Sequence, residues 1–175
     1  MTFGARAVSY LPDSARWLIV TVGLFALGLG WWRINDVESL ALYGVLIIGG
    51  TLQTESDIRT RLIPRMTTFV MGAFAIAVLA ARGNAFLPVV LIAGTVGLAL
   101  WLTHRLAPHS LGFGDVLLAP VIAMYVGWYE PTAVPLWLGG AALGAGVGAI
   151  GTRQRRVAFV PWMVISAVAT IIILA

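Results

Sequence analysis

Two aspartates stand where an apolar chain has least use for them. Asp115 lies in Ser110-Leu111-Gly112-Phe113-Gly114-Asp115-Val116-Leu117-Leu118, at the threshold of an apolar run and after two glycines, whose lack of a Cβ opens backbone conformations that other residues avoid. Asp57 closes an earlier apolar run, in Ser56-Asp57-Ile58-Arg59-Thr60-Arg61-Leu62-Ile63-Pro64, fifty-eight positions upstream. Taken singly, each has a plain structural use: Asp57 as a solvated helix-end residue, and Asp115 as the N-cap of a helix that starts at Val116. Taken together, they could do chemistry. Two carboxyl groups held close together cannot easily both ionise, and they share a proton. One can then draw a proton from an attacking water while the other protonates a peptide carbonyl and later assists the leaving amine. Those are the demands of aspartic protease chemistry.

The rest of the chain says what must position such a pair. Of 175 residues, 60 % are hydrophobic and 10 % charged, which excludes an ordinary water-soluble domain and points to an integral membrane protein. There is no cysteine, so disulfides, thiolate metal sites and cysteine nucleophiles are excluded. All eleven basic residues are arginines, falling mostly between apolar runs. The net charge of +4 is therefore a membrane-surface signal rather than a nucleic-acid one.

The apolar runs cover roughly residues 17–32, 38–56, 66–81, 86–103, 115–129, 132–151 and 157–174. The expected fold is all-α: a polytopic transmembrane bundle of about seven helices in one integral-membrane domain. The first run follows Arg6 and Arg16 as a signal peptide would, but it ends on Trp31-Trp32-Arg33 without a small-residue cleavage pattern and reads as a retained helix. With the N-terminus inside, Arg6, Arg16, Arg59, Arg61, Arg65, Arg105, Arg153, Arg155 and Arg156 are cytoplasmic, and only Arg33 and Arg82 lie outside. Nine against two is a strong positive-inside bias. It places Asp57, at the end of the second helix, and Asp115, at the start of the fifth, on the cytoplasmic side of the cell membrane.

Smaller features complete the picture. Ile63-Pro64 fits a helix boundary, with the proline in the first turn of the next helix. His104 to Phe113 is a longer loop, in which His104 and His109 read as interfacial residues. Gly140, Gly144 and Gly148 form a small-residue ridge suited to close helix packing. Phe159-x-Pro161 opens the last helix.

These residues resemble a known family. Gly112-Phe113-Gly114-Asp115 matches the Gly-x-Gly-Asp signature of membrane-embedded aspartyl proteases. Asp57 followed by Ile63-Pro64 resembles the first-aspartate motif of type IV prepilin peptidases and archaeal preflagellin peptidases. The late Phe159-x-Pro161 element belongs to the same pattern, as a substrate-side or packing motif. The resemblance covers residues 38–175, a six-helix protease core, with residues 1–37 as a tail and one extra helix. It implies an aspartic endopeptidase with catalytic Asp57 and Asp115, an active-site loop of Gly112, Phe113, Gly114, Ile63 and Pro64, and no cofactor or metal. The implied partner is a prepilin-like membrane protein, cut after a short basic leader at the cytoplasmic face. Two departures are visible. Leu117 stands where family members often carry lysine, and the cysteine-bearing part linked to N-terminal methylation is absent, which implies a peptidase without methyltransferase activity.

Two other classes fit the composition. A proton-coupled transporter would use the aspartates as a relay and would need ionisable groups deeper in the bilayer. An inert scaffold would use the glycine ridge as its contact face.

Overall fold

Apolar segments long enough to cross a bilayer must satisfy their own backbone groups, which favours helices throughout. In a computed structural model describing residues 13–83, 86–107, 111–152 and 158–175, the described residues form seven α-helices and no strand. They are α1 (Asp13–Arg33), α2 (Val37–Thr60), α3 (Arg65–Arg82), α4 (Phe86–Leu106), α5 (Phe113–Tyr129), α6 (Val134–Thr152) and α7 (Val160–Leu174), with a 3-10 turn at Pro131–Ala133 leading into α6. The all-α bundle expected from the sequence is what forms. Among the described residues, four spans are long and apolar enough to cross a membrane: α2, α3, α4 and Pro131–Gly151. At 17 and 15 residues, α5 and α7 are apolar but shorter.

The short helix α5 is the centre of the bundle. Leu118, Ala119, Ile122, Ala123, Tyr125 and Val126 are wholly enclosed along one broad face, and the buried Val116, Val121, Gly127 and Trp128 extend the burial well around the helix. Its neighbours are α2, α3, α4, α6 and α7. A buried aromatic with a polar tip needs a partner, and three of them find a carbonyl. The Tyr125 hydroxyl donates to Met71 O (2.8 Å), Tyr43 to Ala26 O (2.8 Å) and Trp137 Nε1 to Met163 O (2.9 Å).

One cluster fixes the register of α2 against α5. At the start of α2, Ser39 accepts Trp128 Nε1–H on its Oγ and the Tyr129 hydroxyl on its carbonyl, both at 2.7 Å. The Arg82 guanidinium, from the end of α3, lies 4.3 Å over the Trp128 ring. The first turn of α2 is thus tied to the last turn of α5. Two helices joined in this antiparallel sense bring the end of α2 and the start of α5, where the aspartates lie, to the opposite end of the bundle.

The glycine ridge of α6 is already occupied. A Cβ on Gly140 would lie 2.6 Å from Ser166 Oγ, and one on Gly148 would lie 2.8 Å from the Trp162 ring, so the ridge receives α7 side chains. Part of the face that a scaffold would offer to another protein is thus taken up within the chain. Helix α1 lies against α2, where Arg16 pairs with Glu55 at 2.9 Å. An apolar groove of about 480 Å³ runs between α1, α2 and α7.

Candidate functional site

Asp57 sits in the last turn of α2, which continues to Thr60, beyond the apolar run that ended at residue 56. Arg61 closes the helix in the left-handed conformation (φ 55°), its N–H donating to Asp57 O at 3.0 Å. Hydroxyls then set the turn that follows. Ser56 Oγ donates to Leu62 O at 2.7 Å, Thr60 Oγ1 to Ser56 O at 2.9 Å, and Leu62 N–H to Thr60 Oγ1 at 3.3 Å. Pro64 stands at the N-cap of α3, one position ahead of the first turn expected for it.

Asp57 is 7 % exposed, and its carboxyl meets the start of α7. Val160 N–H donates to Asp57 Oδ2 at 3.2 Å, and the Phe159 backbone N–H also reaches the carboxyl. Phe159 is the N-cap of α7 and has no side-chain acceptor for the helix's unpaired N–H groups. Asp57 supplies one from another helix, where the positive end of the helix dipole favours it. The Phe159-Val160-Pro161 stretch therefore acts through its backbone: Phe159 and Val160 as donors, and Pro161 in the first turn.

Asp115 is not an N-cap, as a helix starting at Val116 would make it. Helix α5 begins at Phe113 with Gly112 as the N-cap, so Asp115 is the third helical residue. From there its carboxyl reaches back to the Gly112 backbone N–H, the reciprocal half of a capping box.

The glycines serve a purpose other than the one read from the sequence. Gly112 has φ −69°, and Gly83 is the one glycine with positive φ among the described residues, so conformational freedom is not what positions 112 and 114 need. They need space. A Cβ on Gly112 would lie 3.0 Å from Asp115 Oδ2, and one on Gly114 would lie 2.9 Å from both Cβ and Cδ1 of Ile63. Ile63 thus seats on Gly114, joining the loop after α2 to the start of α5.

The result is a cavity of about 280 Å³ lined by both aspartates, Arg61, Ile63, Arg65, Thr68, Gly112, Phe113, Gly114 and Leu117. The two carboxyl groups interact electrostatically, and Arg61 acts on Asp57. Leu117 makes the wall apolar at the position where a lysine would add charge. Arg59 does not line this cavity; its Nη2 lies 3.4 Å from Glu55 Oε1. Pro64 stands between the lining residues Ile63 and Arg65 without lining the cavity itself, Phe159 does not line it either, and Pro161 lines the apolar groove instead. His109, Ser110, Arg153, Arg155 and Arg156 fall outside the described residues.

Two residues have a place here that the sequence reading did not give them: His104, read as interfacial, and Thr68, not singled out. His104 Nδ1 is 2.9 Å from Leu111 O, and its ring is 5.7 Å from that of Phe113, so the end of α4 holds the loop that delivers Gly112. Thr68, on α3, lines the cavity from a position with no motif to mark it. Its only signal was an amphiphilic residue one turn into a helix.

Fold and site together define a class: an all-helical bundle, apolar enough for a membrane, with a carboxyl pair at a cavity near one end. Comparison of the chain with family models, curated proteins and solved structures gives no match.

Proposed function

We propose that the protein is a membrane-embedded aspartic endopeptidase of the prepilin or preflagellin peptidase type, without methyltransferase activity. The observation that carries this reading is the shared cavity: Asp57 from α2 and Asp115 from α5 line it together. In the proposed reaction a water lies between the carboxyls. One carboxylate takes its proton as oxygen attacks the scissile carbonyl, and the other carboxylic acid protonates the carbonyl oxygen. The C–N bond then breaks as the amine takes a proton. The arginine distribution supports a cytoplasmic opening for the cavity, with a substrate whose short basic leader emerges from the membrane there.

A proton relay is less well supported. It calls for ionisable groups deep in the bilayer. Every described carboxylate and guanidinium residue lies within six positions of a helix end. The test is cleavage of a prepilin-like substrate by purified protein in lipid, followed by mass determination of the new N-terminus. Asp57→Asn and Asp115→Asn should each lower cleavage by about 10²-fold or more, and the double variant should be no worse than either, because the groups act as a unit. The product should carry no added methyl group even when a methyl donor is supplied. Normal processing by either asparagine variant would refute the dyad.

A further inference from the structure

Gln53 is wholly buried one helical turn before Asp57, on the same face of α2. A carboxamide is an expensive way to fill that space. Leucine or methionine would pack there without desolvating an amide. Its Nε2 donates to Thr68 Oγ1 at 3.2 Å and lies 3.5 Å from Met71 Sδ, while its Oε1 is buried with no partner. Buried polar atoms without partners are uncommon, and a bound water is an ordinary reason for one.

Thr68, 7 % exposed, links this amide to the cavity, which it lines together with both aspartates. A threonine hydroxyl has one proton and two acceptor sites. The amide of Gln53 fills one acceptor site. The proton goes to Pro64 O at 3.4 Å, far longer than a good hydroxyl bond. That donor is free to turn to a better acceptor.

We infer that Thr68 donates a hydrogen bond to the water or peptide carbonyl held between Asp57 and Asp115, and that Gln53 is a positioning residue that fixes the hydroxyl from behind. The inference rests on the proposed hydrolytic role of the pair. It adds a neutral donor at the place where charge develops on the carbonyl oxygen, which preorganised donors stabilise.

Two measurements test it. The chain has no cysteine, so T68C provides a single thiol for a small water-soluble methanethiosulfonate. It should react clearly faster than A75C, which is on the same helix at a fully enclosed site. In the cleavage assay, Thr68→Val should lower kcat by about 10- to 10²-fold with KM little changed, and Thr68→Ser should retain most of the rate. Gln53→Leu should lower kcat in the native background and add nothing in the Thr68→Val background, because it acts through that hydroxyl. The inference is overturned if T68C is no more reactive than A75C, if Thr68→Val keeps its kcat, or if the Gln53→Leu loss is equal in both backgrounds. Asp115→Asn in the same assay separates the two ideas: an inactive Asp115→Asn beside an unimpaired Thr68→Val sinks only this inference, whereas an active Asp115→Asn sinks the dyad.

Discussion

Gly114→Ala is the sharpest probe of how the loop after α2 delivers its half of the site. The added methyl would lie 2.9 Å from Ile63 Cβ and Cδ1 and 3.1 Å from Cγ1. Three contacts on one branched side chain leave it no single rotation that relieves them all, so either the loop or the start of α5 must shift. Overpacking of this kind costs about 1–3 kcal/mol. Away from the clash, the same change favours a helix by about 0.5–1 kcal/mol. The two terms separate in an Ile63→Ala background, where the clash is gone and Gly114→Ala should become neutral or slightly stabilising. Asp115 is the next residue, and a displacement of several tenths of an ångström there should also lower cleavage, by roughly 10-fold or more. Unfolding of the four proteins of this cycle in one detergent gives the coupling energy, expected at about 1–3 kcal/mol. Equal effects of Gly114→Ala in both backgrounds would refute the seating of Ile63 on Gly114.

Other expectations follow from the same geometry. Asp36 accepts Ser39 N–H at 2.7 Å as the N-cap of α2; burial opposes its charge, but the Ser39 hydrogen bonds and Arg82 outweigh this and hold its pKa below the ordinary 3.8. A depressed carboxyl pKa stabilises above the ordinary value and loses its effect as pH falls through the folded one, so Asp36→Ala should cost about 0.5–2 kcal/mol near neutrality and much less in acid, as melts across pH will show. In α6, Gly144→Leu should unseat Trp162 and destabilise the protein, whereas Gly139→Ala, with nothing within 4 Å, should be neutral or stabilising in the same melts. Single cysteines at Thr60 and Asn35 should label from opposite sides of the membrane, with Thr60 reacting from the cytoplasm. Labelling of both from one side would sink the arginine-based topology.

How much of this was legible in the sequence depends on what fixes each feature. Helices were legible because runs such as 86–103 leave no other way to satisfy the backbone in lipid, and α4 indeed spans Phe86–Leu106. The aspartates were legible as outliers of charge beside apolar runs. What a single chain cannot display is which surfaces meet. Gly114 and Ile63 were both singled out, yet their contact depends on the turn set by Ser56 and Thr60, and the glycines were read as sources of conformational freedom when the need was space. The start of α5 was misplaced because Gly112-Phe113-Gly114 looks like a loop, while Asp115 capping its own first turn makes it helical. Gln53 and Thr68 carry no motif, and neither is meaningful until α2 and α3 are side by side.

The tie between Asp57 and α7 gives the site its hardest test, because it supplies a structural reason for Asp57 that owes nothing to catalysis. Two backbone N–H groups at the start of α7 converge on the Asp57 carboxyl. Removing that acceptor in Asp57→Ala leaves the buried Val160 N–H unpaired, at about 1–3 kcal/mol, and should loosen α7 as well as the site. Asparagine keeps one carbonyl oxygen for Val160 N–H, replaces the other acceptor oxygen with an amide donor, and loses the charge and the titrating proton. If capping were the whole role of Asp57, Asp57→Asn would be close to native in both melting and cleavage, and Asp57→Ala would fail in both. If the carboxyl also moves a proton, Asp57→Asn should melt near the native protein and still cleave nothing, while Asp115→Asn, whose carboxyl caps only its own helix, should show the same split. A folded, inactive asparagine variant at each position is the result that capping cannot produce.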